Sequence, residues 1–258
     1  MKRYLIAMLL LLLCDDNALA DSQAVQATNV QAGFTSWDTH SSSGMVNNSY
    51  AINGGITFPV VSYLGASLSG AFGHTKLASN PSPNVTPTSA WPSCTISNSN
   101  LDAGLFVRDP TLGKVGVSYG AGRQQSHCSA TYLITGTDTL STKDSTASAE
   151  YYFSKVTLAV ARTRTHLGSS SDLDSNSLTV GWYPDSDVRV ALSDYGLDLK
   201  NTHKLGLEYQ PEFLDNSLSL LLTYSTQRLT TDTHSIMVGF NYFFEKHVPL
   251  IARDRQYR

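Results

Sequence analysis

The sequence has little charge and no long hydrophobic segment beyond its first residues. Asp, Glu, Lys and Arg make up 15% of the 258 residues, against roughly 25% in ordinary soluble domains. After Leu13 no apolar run approaches the ~18–20 residues that a membrane-spanning helix needs. These absences leave a soluble β protein or a membrane-spanning β-barrel, and the low charge favours the barrel.

Basic clusters and cysteines are also scarce. The formal net charge is −3, and no basic stripe indicates nucleic-acid binding. This balance also predicts no strong ion preference for a pore. The three cysteines include Cys14, which lies beside the N-terminal apolar run. A lipoprotein signal has a small residue immediately before its cysteine, and Leu13 is not small.

The N-terminus has the three parts of a secretory signal. Lys2 and Arg3 precede an apolar run from Tyr4 to Leu13, and Ala18-Leu19-Ala20 offers a small-x-small cleavage site. We expect cleavage after Ala20, which removes residues 1–20. Cys94 and Cys128 then meet an oxidising compartment, where a disulfide is the expected state.

Alternating apolar residues dominate the end of the chain. One run has Leu218, Leu220, Leu222 and Tyr224, and the next has Ile236, Val238, Phe240, Tyr242 and Phe244. A period of two is typical of a strand with one apolar face. The opposite face is small or polar, which suits a strand crossing a membrane in a barrel.

The last of these runs carries a recognisable motif. Gly239-x-x-Tyr242-x-Phe244 resembles the C-terminal assembly signal of bacterial outer-membrane β-barrels, with Met237 at the usual polar position and residues 245–258 following. The resemblance implies a closed antiparallel transmembrane β-barrel, folded by the barrel-assembly machinery and periplasmic chaperones. It also implies contact with outer-membrane lipid and lipopolysaccharide, and a location in the outer membrane of a Gram-negative bacterium.

The rest of the mature chain has the same alternation. About twelve such segments fill residues 21–244, at a spacing usual for small outer-membrane barrels. Short turns are predicted near residues 59–62, 109–113, 154–155, 184–187 and 214–217. Longer polar loops are predicted near residues 39–46, 77–97, 125–140, 166–176, 195–202 and 226–234. Short periplasmic turns and longer extracellular loops are the usual asymmetry, and the two cysteines then share the extracellular side.

Charged residues on the polar faces are candidates for the lumen. The register of residues 156–165 is ambiguous, because Arg162 and Arg164 share a face with Leu158 and Val160. We place the arginines inside, since a cation at the lipid midplane costs ~2–4 kcal/mol. The predicted lumen-lining residues are Arg108, Glu150, Arg162, Arg164, Arg189, Lys204, Glu208 and Glu212.

Two features of the predicted lumen have more than one interpretation. Inward positions of the second to fifth segments are mostly glycine, serine and alanine, which suits a narrow pore, an inward-folded loop or sharp sheet curvature. The mixed charges elsewhere suit either polar-solute binding or internal ion pairs that fill the lumen.

No pattern indicates an enzyme, a cofactor or a metal site. Asp38 with His40 and Asp232 with His234 resemble the rim pairs of outer-membrane proteases, but no nucleophile motif accompanies them. The tail, residues 245–258, is predicted to be periplasmic and disordered by default, with docking to a partner or to the barrel mouth as alternatives.

The sequence thus predicts a porin-like channel for small polar solutes. The alternative is a non-conducting barrel in adhesion, envelope assembly or export, similar to a solitary autotransporter barrel. A rim hydrolase is a third hypothesis.

Overall fold

The computed structural model describes residues 28–42, 45–79, 94–128, 137–168, 172–197, 200–228, 232–244 and 248–257. The predicted signal segment, residues 1–20, lies outside them. The structure is built from twelve strands and one short α-helix. The elements are β1 (Asn29–Ser41), β2 (Met45–Val61), β3 (Leu64–Ser79), β4 (Cys94–Asp109), β5 (Gly113–Cys128), β6 (Thr137–Phe153), β7 (Val156–Leu167), β8 (Leu173–Asp185), β9 (Val188–Leu197), β10 (Lys200–Tyr209), β11 (Leu218–Arg228), β12 (Asp232–Phe243) and α1 (Leu250–Gln256).

The strands form one closed antiparallel barrel. Each strand pairs with its neighbours in sequence, and β1 pairs with β12 from Gln31↔Phe243 to Ser41↔Thr233. The sheet therefore has no free edge, as a sheet in hydrocarbon requires. The predicted fold class and strand number are confirmed. Within the described residues no helix is long and apolar enough to cross a bilayer.

The outer face of the barrel is apolar along its middle. Large apolar side chains there stay exposed to the surroundings, as at Val180 (38%) and Val117 (61%), which water would penalise by about 25 cal/mol per Å² of apolar surface. Hydrocarbon removes that penalty. The predicted outward residues of the last two strands, such as Leu222 and Val238, lie on this face, at 47% and 53% exposure.

Aromatic side chains flank this apolar band. Tyr50, Phe72, Tyr119 and Tyr224 lie toward one end, and Trp182, Tyr209, Tyr242 and Phe244 lie toward the other. Tyr242 and Phe244 contact each other edge to face, with ring centroids 4.9 Å apart. Two such rows match the aromatic girdles of membrane barrels.

The two ends of the barrel differ in their connections. At the turn end, strands are joined by residues 62–63, 110–112, 154–155, 186–187 and 210–217, and both β1 and β12 end there. At the loop end, the connections are residues 42–44, 80–93, 129–136, 168–172, 198–199 and 229–231. The long loops predicted near 39–46, 195–202 and 226–234 are wrong, because the strands continue into polar sequence.

Two smaller predictions are corrected in the same way. Pro59 does not end its strand: it faces Gly65 in the ladder, and a register shift between Pro59 and Val61 accommodates the missing donor. Cys94 and Cys128 are strand ends and not loop residues, and they face each other across β4 and β5. Both corrections reflect ladder pairing that extends beyond the alternating apolar sequence.

The tail forms an ordered helix at the turn end, which contradicts the default of disorder. Arg253 of α1 is fully buried, its guanidinium lies 3.6 Å from the Phe243 ring centroid, and it donates to the Asn216 carbonyl at 2.9 Å. Arg255 donates to the carbonyls of Ser154 and Val156 at 2.6 and 3.2 Å.

The helix spans the mouth of the barrel. Arg253 also donates to Asn29 Oδ1 at 3.4 Å, at the start of β1, whereas Arg255 reaches the start of β7. β1 and β7 are six steps apart in the closed order of twelve strands, which places them on opposite sides. The core of the molecule lies just inside, where Tyr152, Tyr183 and Phe243 are at most 4% exposed.

We predict that Arg253→Ala releases α1 while the barrel stays folded. The substitution removes a desolvated cation–π contact and charged hydrogen bonds, together worth on the order of 2–4 kcal/mol. Limited proteolysis and hydrogen exchange of the tail should rise about 30-fold or more, by the usual 1.4 kcal/mol per tenfold. Gln256→Ala is the control, and equal protection of both variants would contradict the assignment.

Candidate functional site

The eight predicted lumen residues do not all lie on the inner face. Five of them lie on the inner face: Arg108, Glu150, Arg189, Lys204 and Glu208. Glu212 does not, because β10 ends at Tyr209 and Glu212 begins an exposed 3₁₀ turn, Glu212–Leu214. Arg162 and Arg164 lie on the outer face, where their side chains are 64% and 58% exposed.

The assignment of these two arginines to the lumen was wrong for a specific reason. Leu158 and Val160 are 42% and 47% exposed on the outer face, and a period of two carries Arg162 and Arg164 to the same side. The midplane cost does not apply, because both lie beyond the apolar band toward the loop end. There they contact Asp174 of β8 at 2.8 and 3.0 Å.

At the turn end, the inner face carries a buried ionic cluster between α1 and the rest of the lumen. Lys114 Nζ lies 2.7 Å from Glu150 Oε1, and the Tyr152 hydroxyl donates to the same carboxylate at 3.0 Å. The Arg108 guanidinium, 1% exposed, lies 4.7 Å from the Phe106 ring centroid. Charges on this wall thus have partners within the wall.

A second cluster joins α1 to the barrel wall. Arg189 lies between two carboxylates, at 3.9 Å from Glu208 and 3.7 Å from Asp254 of α1. Ser219 donates to Glu208 at 2.8 Å, and the Tyr183 hydroxyl donates to Asp254 at 2.5 Å. Internal ion pairing, one of the two interpretations of the mixed lumen charges, therefore describes the turn end.

Above these clusters, toward the loop end, lies a cavity of about 560 Å³, which we call the vestibule. Its floor is Arg189 and Glu208, and its walls carry the hydroxyls of Thr179, Ser193, Thr223, Ser225 and Ser235 with the rings of Trp37 and Tyr195. Lys204 lies over the Tyr195 ring at 4.5 Å and has no carboxylate partner among the described residues. Hydroxyls, flat rings and one available cation suit a polar solute.

On the glycine-rich wall across the lumen from the vestibule, polar side chains fill the space beside the glycines. A Cβ at Gly120 would overlap the Asp102 carboxylate, and one at Gly73 would overlap the Asn98 amide. These glycines leave room for neighbouring polar side chains that lie across them. The small inward residues therefore serve packing on this wall, and the vestibule lies against β8–β12 and β1.

The histidines of the described chain lie around the outer rim of the loop end. His40 and His234 are directly opposed across β1 and β12, and the Tyr224 hydroxyl lies 3.0 Å from His234 Nδ1. Asp38 and Asp232 share that outer face. No group of three or more His, Cys, Asp or Glu within the described residues has the arrangement of a metal site.

Several site residues were missed by the sequence analysis. Lys114 and Tyr152 lie inward by strand alternation, and they could have been found from the period alone. Asp254 and Arg253 could not, because no strand pattern relates the tail to the mouth. The available signal was Pro249 followed by Leu250, Ile251 and Ala252, which suits a helix start with an apolar face.

Comparisons with solved structures identify the fold. An outer-membrane channel from Pseudomonas putida F1 matches with a TM-score of 0.64 and 11% identity, over 87% of this chain and 98% of that chain. The translocator domain of the autotransporter NalP from Neisseria meningitidis gives 0.56 and 12% identity, over 93% and 96%. The KdgM porin in complex with disordered oligogalacturonate gives 0.51 and 8% identity, over 83% and 99%.

The sequence itself has no match in the other two comparisons: no protein-family model and no curated protein matches it. At these identities the structural likeness establishes the outer-membrane β-barrel fold. The three matched proteins are described as a channel, a translocator domain and a porin, so the likeness does not choose among functions.

We predict that Arg189→Met destabilises the barrel more than Lys204→Met does. The first change leaves Glu208, 6% exposed, without its cation, and breaking a buried pair costs about 3–5 kcal/mol. The second removes only a cation–π contact, worth about 1 kcal/mol. Urea unfolding of detergent-folded protein measures both, and equal losses would mean that Arg189 does not neutralise Glu208.

Proposed function

We propose that the protein is a porin-like outer-membrane channel for small polar solutes, entered from the loop end and closed at the turn end by α1. The vestibule is the observation that supports this proposal. It is a polar cavity of about 560 Å³, and ligand pockets for small molecules are usually about 300–1,000 Å³. Its hydroxyl-rich walls can exchange hydrogen bonds with a polar solute.

In the closed state, α1 is the element that would have to move for a solute to pass. Solute in the vestibule meets Arg189 and Glu208, and below them Asp254 and Arg253 of α1. Because Asp254 belongs to the tail and not to the wall, withdrawal of α1 removes both the covering helix and one charge of the cluster. Passage through the barrel thus depends on the position of seven residues, Leu250–Gln256.

A second function is favoured by the filled turn end. Nine of the described residues there have side chains with less than 2% exposure, including Arg108, Tyr183 and Gln210, and dense packing of this kind suits a non-conducting barrel in adhesion, envelope assembly or export. The two functions differ in one property: a channel conducts once α1 is released, and a non-conducting barrel does not.

The location follows from the same proposal. A cleaved signal segment, residues 1–20, would export the chain, and Gly239, Tyr242 and Phe244 would present the assembly signal to the barrel-assembly machinery after periplasmic chaperones deliver it. Lipid of the outer membrane, including lipopolysaccharide, would then surround the apolar band. The turn end and α1 would face the periplasm.

Planar-bilayer recording tests the channel. We expect the full chain to show few open steps, and both Arg253→Ala and a chain ending at Phe244 to conduct steadily, because the mouth is uncovered. Folding of each variant is checked by its heat-modifiable migration on gels. Gln256→Ala is the control for substitutions in α1 and should behave as the full chain does.

The point variant and the shortened chain together make the result decisive. Arg253→Ala keeps the full length, so conduction by both cannot be an effect of shortening alone. Silence from both folded variants would reject the channel and favour the non-conducting barrel.

The paired cysteines provide a test of the compartment. Cys94 and Cys128 face each other in the ladder, so oxidation should join them and stabilise the barrel by about 2–4 kcal/mol. We expect unfolded, unreduced protein from the cell envelope to expose no reactive thiol, whereas Cys94→Ser exposes that of Cys128. Two reactive thiols without reductant would contradict the proposal.

A further inference from the structure

Five cations lie on the outer face at the loop end. They are Lys76 of β3, Arg123 of β5, Lys143 of β6, and Arg162 and Arg164 of β7, and all five side chains are exposed. We call this set the basic arc. Arg123, Lys143 and Arg164 are close in the ladder, since Arg123 faces Ser141 and Arg164 faces Ser145, the two neighbours of Lys143 on the same face of β6. Lys76 lies farther away, on the other side of β4.

The basic arc has few carboxylates to neutralise it. The outer face of β3–β7 carries no Asp or Glu at this end within the described residues, and the sequence of the connecting segments 80–93 and 129–136 contains none either. Two carboxylates contact it: Asp174 lies 2.8 Å from Arg162 and 3.0 Å from Arg164, and Asp172 lies 3.9 Å from Arg164. Lys76, Arg123 and Lys143 form no ion pair with a described carboxylate.

The other half of the rim differs in charge. On the outer face of β8–β12 and β1, the same end carries Asp38, Asp194 and Asp232. A uniform ring of cations would be expected if charge served only to hold the barrel at the lipid surface. Among the described side chains, the outward Lys and Arg residues at this end are confined to β3 and β5–β7, as a site for a discrete anionic group would require.

The depth of the basic arc identifies the anion. Arg162 is the first outward residue beyond Val160, and Arg123 is the first beyond Ala121, so both lie where the apolar band ends. At that depth the cost of a cation in a barrel falls to ~0–1 kcal/mol. The groups that lie at this level of a bilayer are the headgroups, and phosphates are their anionic components.

We propose that the basic arc binds the phosphates of a phosphorylated glycolipid in the leaflet at the loop end. This inference rests on the proposed outer-membrane location, but not on conduction. The acyl chains would lie along the apolar outer face of β4–β7, and the phosphates would contact Arg123, Lys143 and Arg164. Asp174 holds Arg162 and Arg164 in place at one end of the site.

Native mass spectrometry of the full chain with added lipopolysaccharide tests the proposal. A cation near an anionic surface contributes roughly fivefold in affinity, so Lys143→Gln should weaken binding about fivefold and Arg123→Gln/Lys143→Gln about 25-fold. Lys155→Gln, at the turn end, removes the same charge as the first variant and should change nothing. Dephosphorylated lipopolysaccharide should bind weakly to all of them.

The other outcomes reject the proposal. Equal binding of phosphorylated and dephosphorylated lipid would mean that acyl chains alone drive it. A loss with Lys155→Gln equal to that of Lys143→Gln would mean that net charge and not the site is responsible. Full competition by millimolar inorganic phosphate would identify a free-anion site, and a change in oligomeric state of the double variant would identify a second copy of this chain as the occupant.

Lipid binding and conduction test the two proposals separately. The basic arc lies on the outer face and the vestibule on the inner face, so the double variant should keep the bilayer behaviour of the unchanged chain. A silent barrel that still binds phosphorylated lipid would reject the channel alone. A conducting barrel without phosphate selectivity would reject the lipid site alone.

Discussion

Pairing of backbone hydrogen-bonding groups is the constraint on which the structure depends. A strand edge in hydrocarbon would leave a row of unpaired N–H and C=O groups, each costing several kcal/mol. The ladder between β1 and β12 removes the edge, and it requires every strand to extend far enough to reach its neighbours. That requirement explains why strands continue through the polar sequence around Ser41, Asn201 and Asp232, where alternation of apolar residues has already stopped.

Closure also decides where polarity is tolerated. The inner face of the turn end is largely buried, so its charges pair with each other: Lys114 with Glu150, and Arg189 with Glu208 and Asp254. The inner face above it, in the vestibule, keeps hydroxyls and the Lys204 ammonium without a carboxylate partner among the described residues. One sheet thus contains a sealed half and a solvated half, and the boundary lies at Arg189.

The sequence predicted the barrel, its twelve strands and the outward faces, because one apolar face in hydrocarbon enforces a strict period of two. The prediction failed where the period of two and the cost of a cation at the membrane midplane gave opposite orientations for a side chain. Arg162 was assigned inward from the midplane cost, although the period through Leu158 and Val160 pointed outward and the strand had already left the midplane. It also failed for α1, because the contacts of Arg253 with Asn29 and Asn216 join distant parts of the chain, and no local pattern encodes them.

The way α1 is attached links stability to function. Among the described tail residues, only Leu250 and Tyr257 bury apolar side chains nearly completely. The other contacts of α1 include the cation–π contacts of Arg253 and Arg255, hydrogen bonds to the turns and the ion pair between Asp254 and Arg189. Helices of seven residues are unstable alone, so the helix exists because the mouth holds it. The barrel, by contrast, is held by twelve ladders that close into one sheet. Local opening at the mouth therefore requires much less free energy than unfolding, and in the proposed channel this difference would let the mouth open while the sheet stays closed.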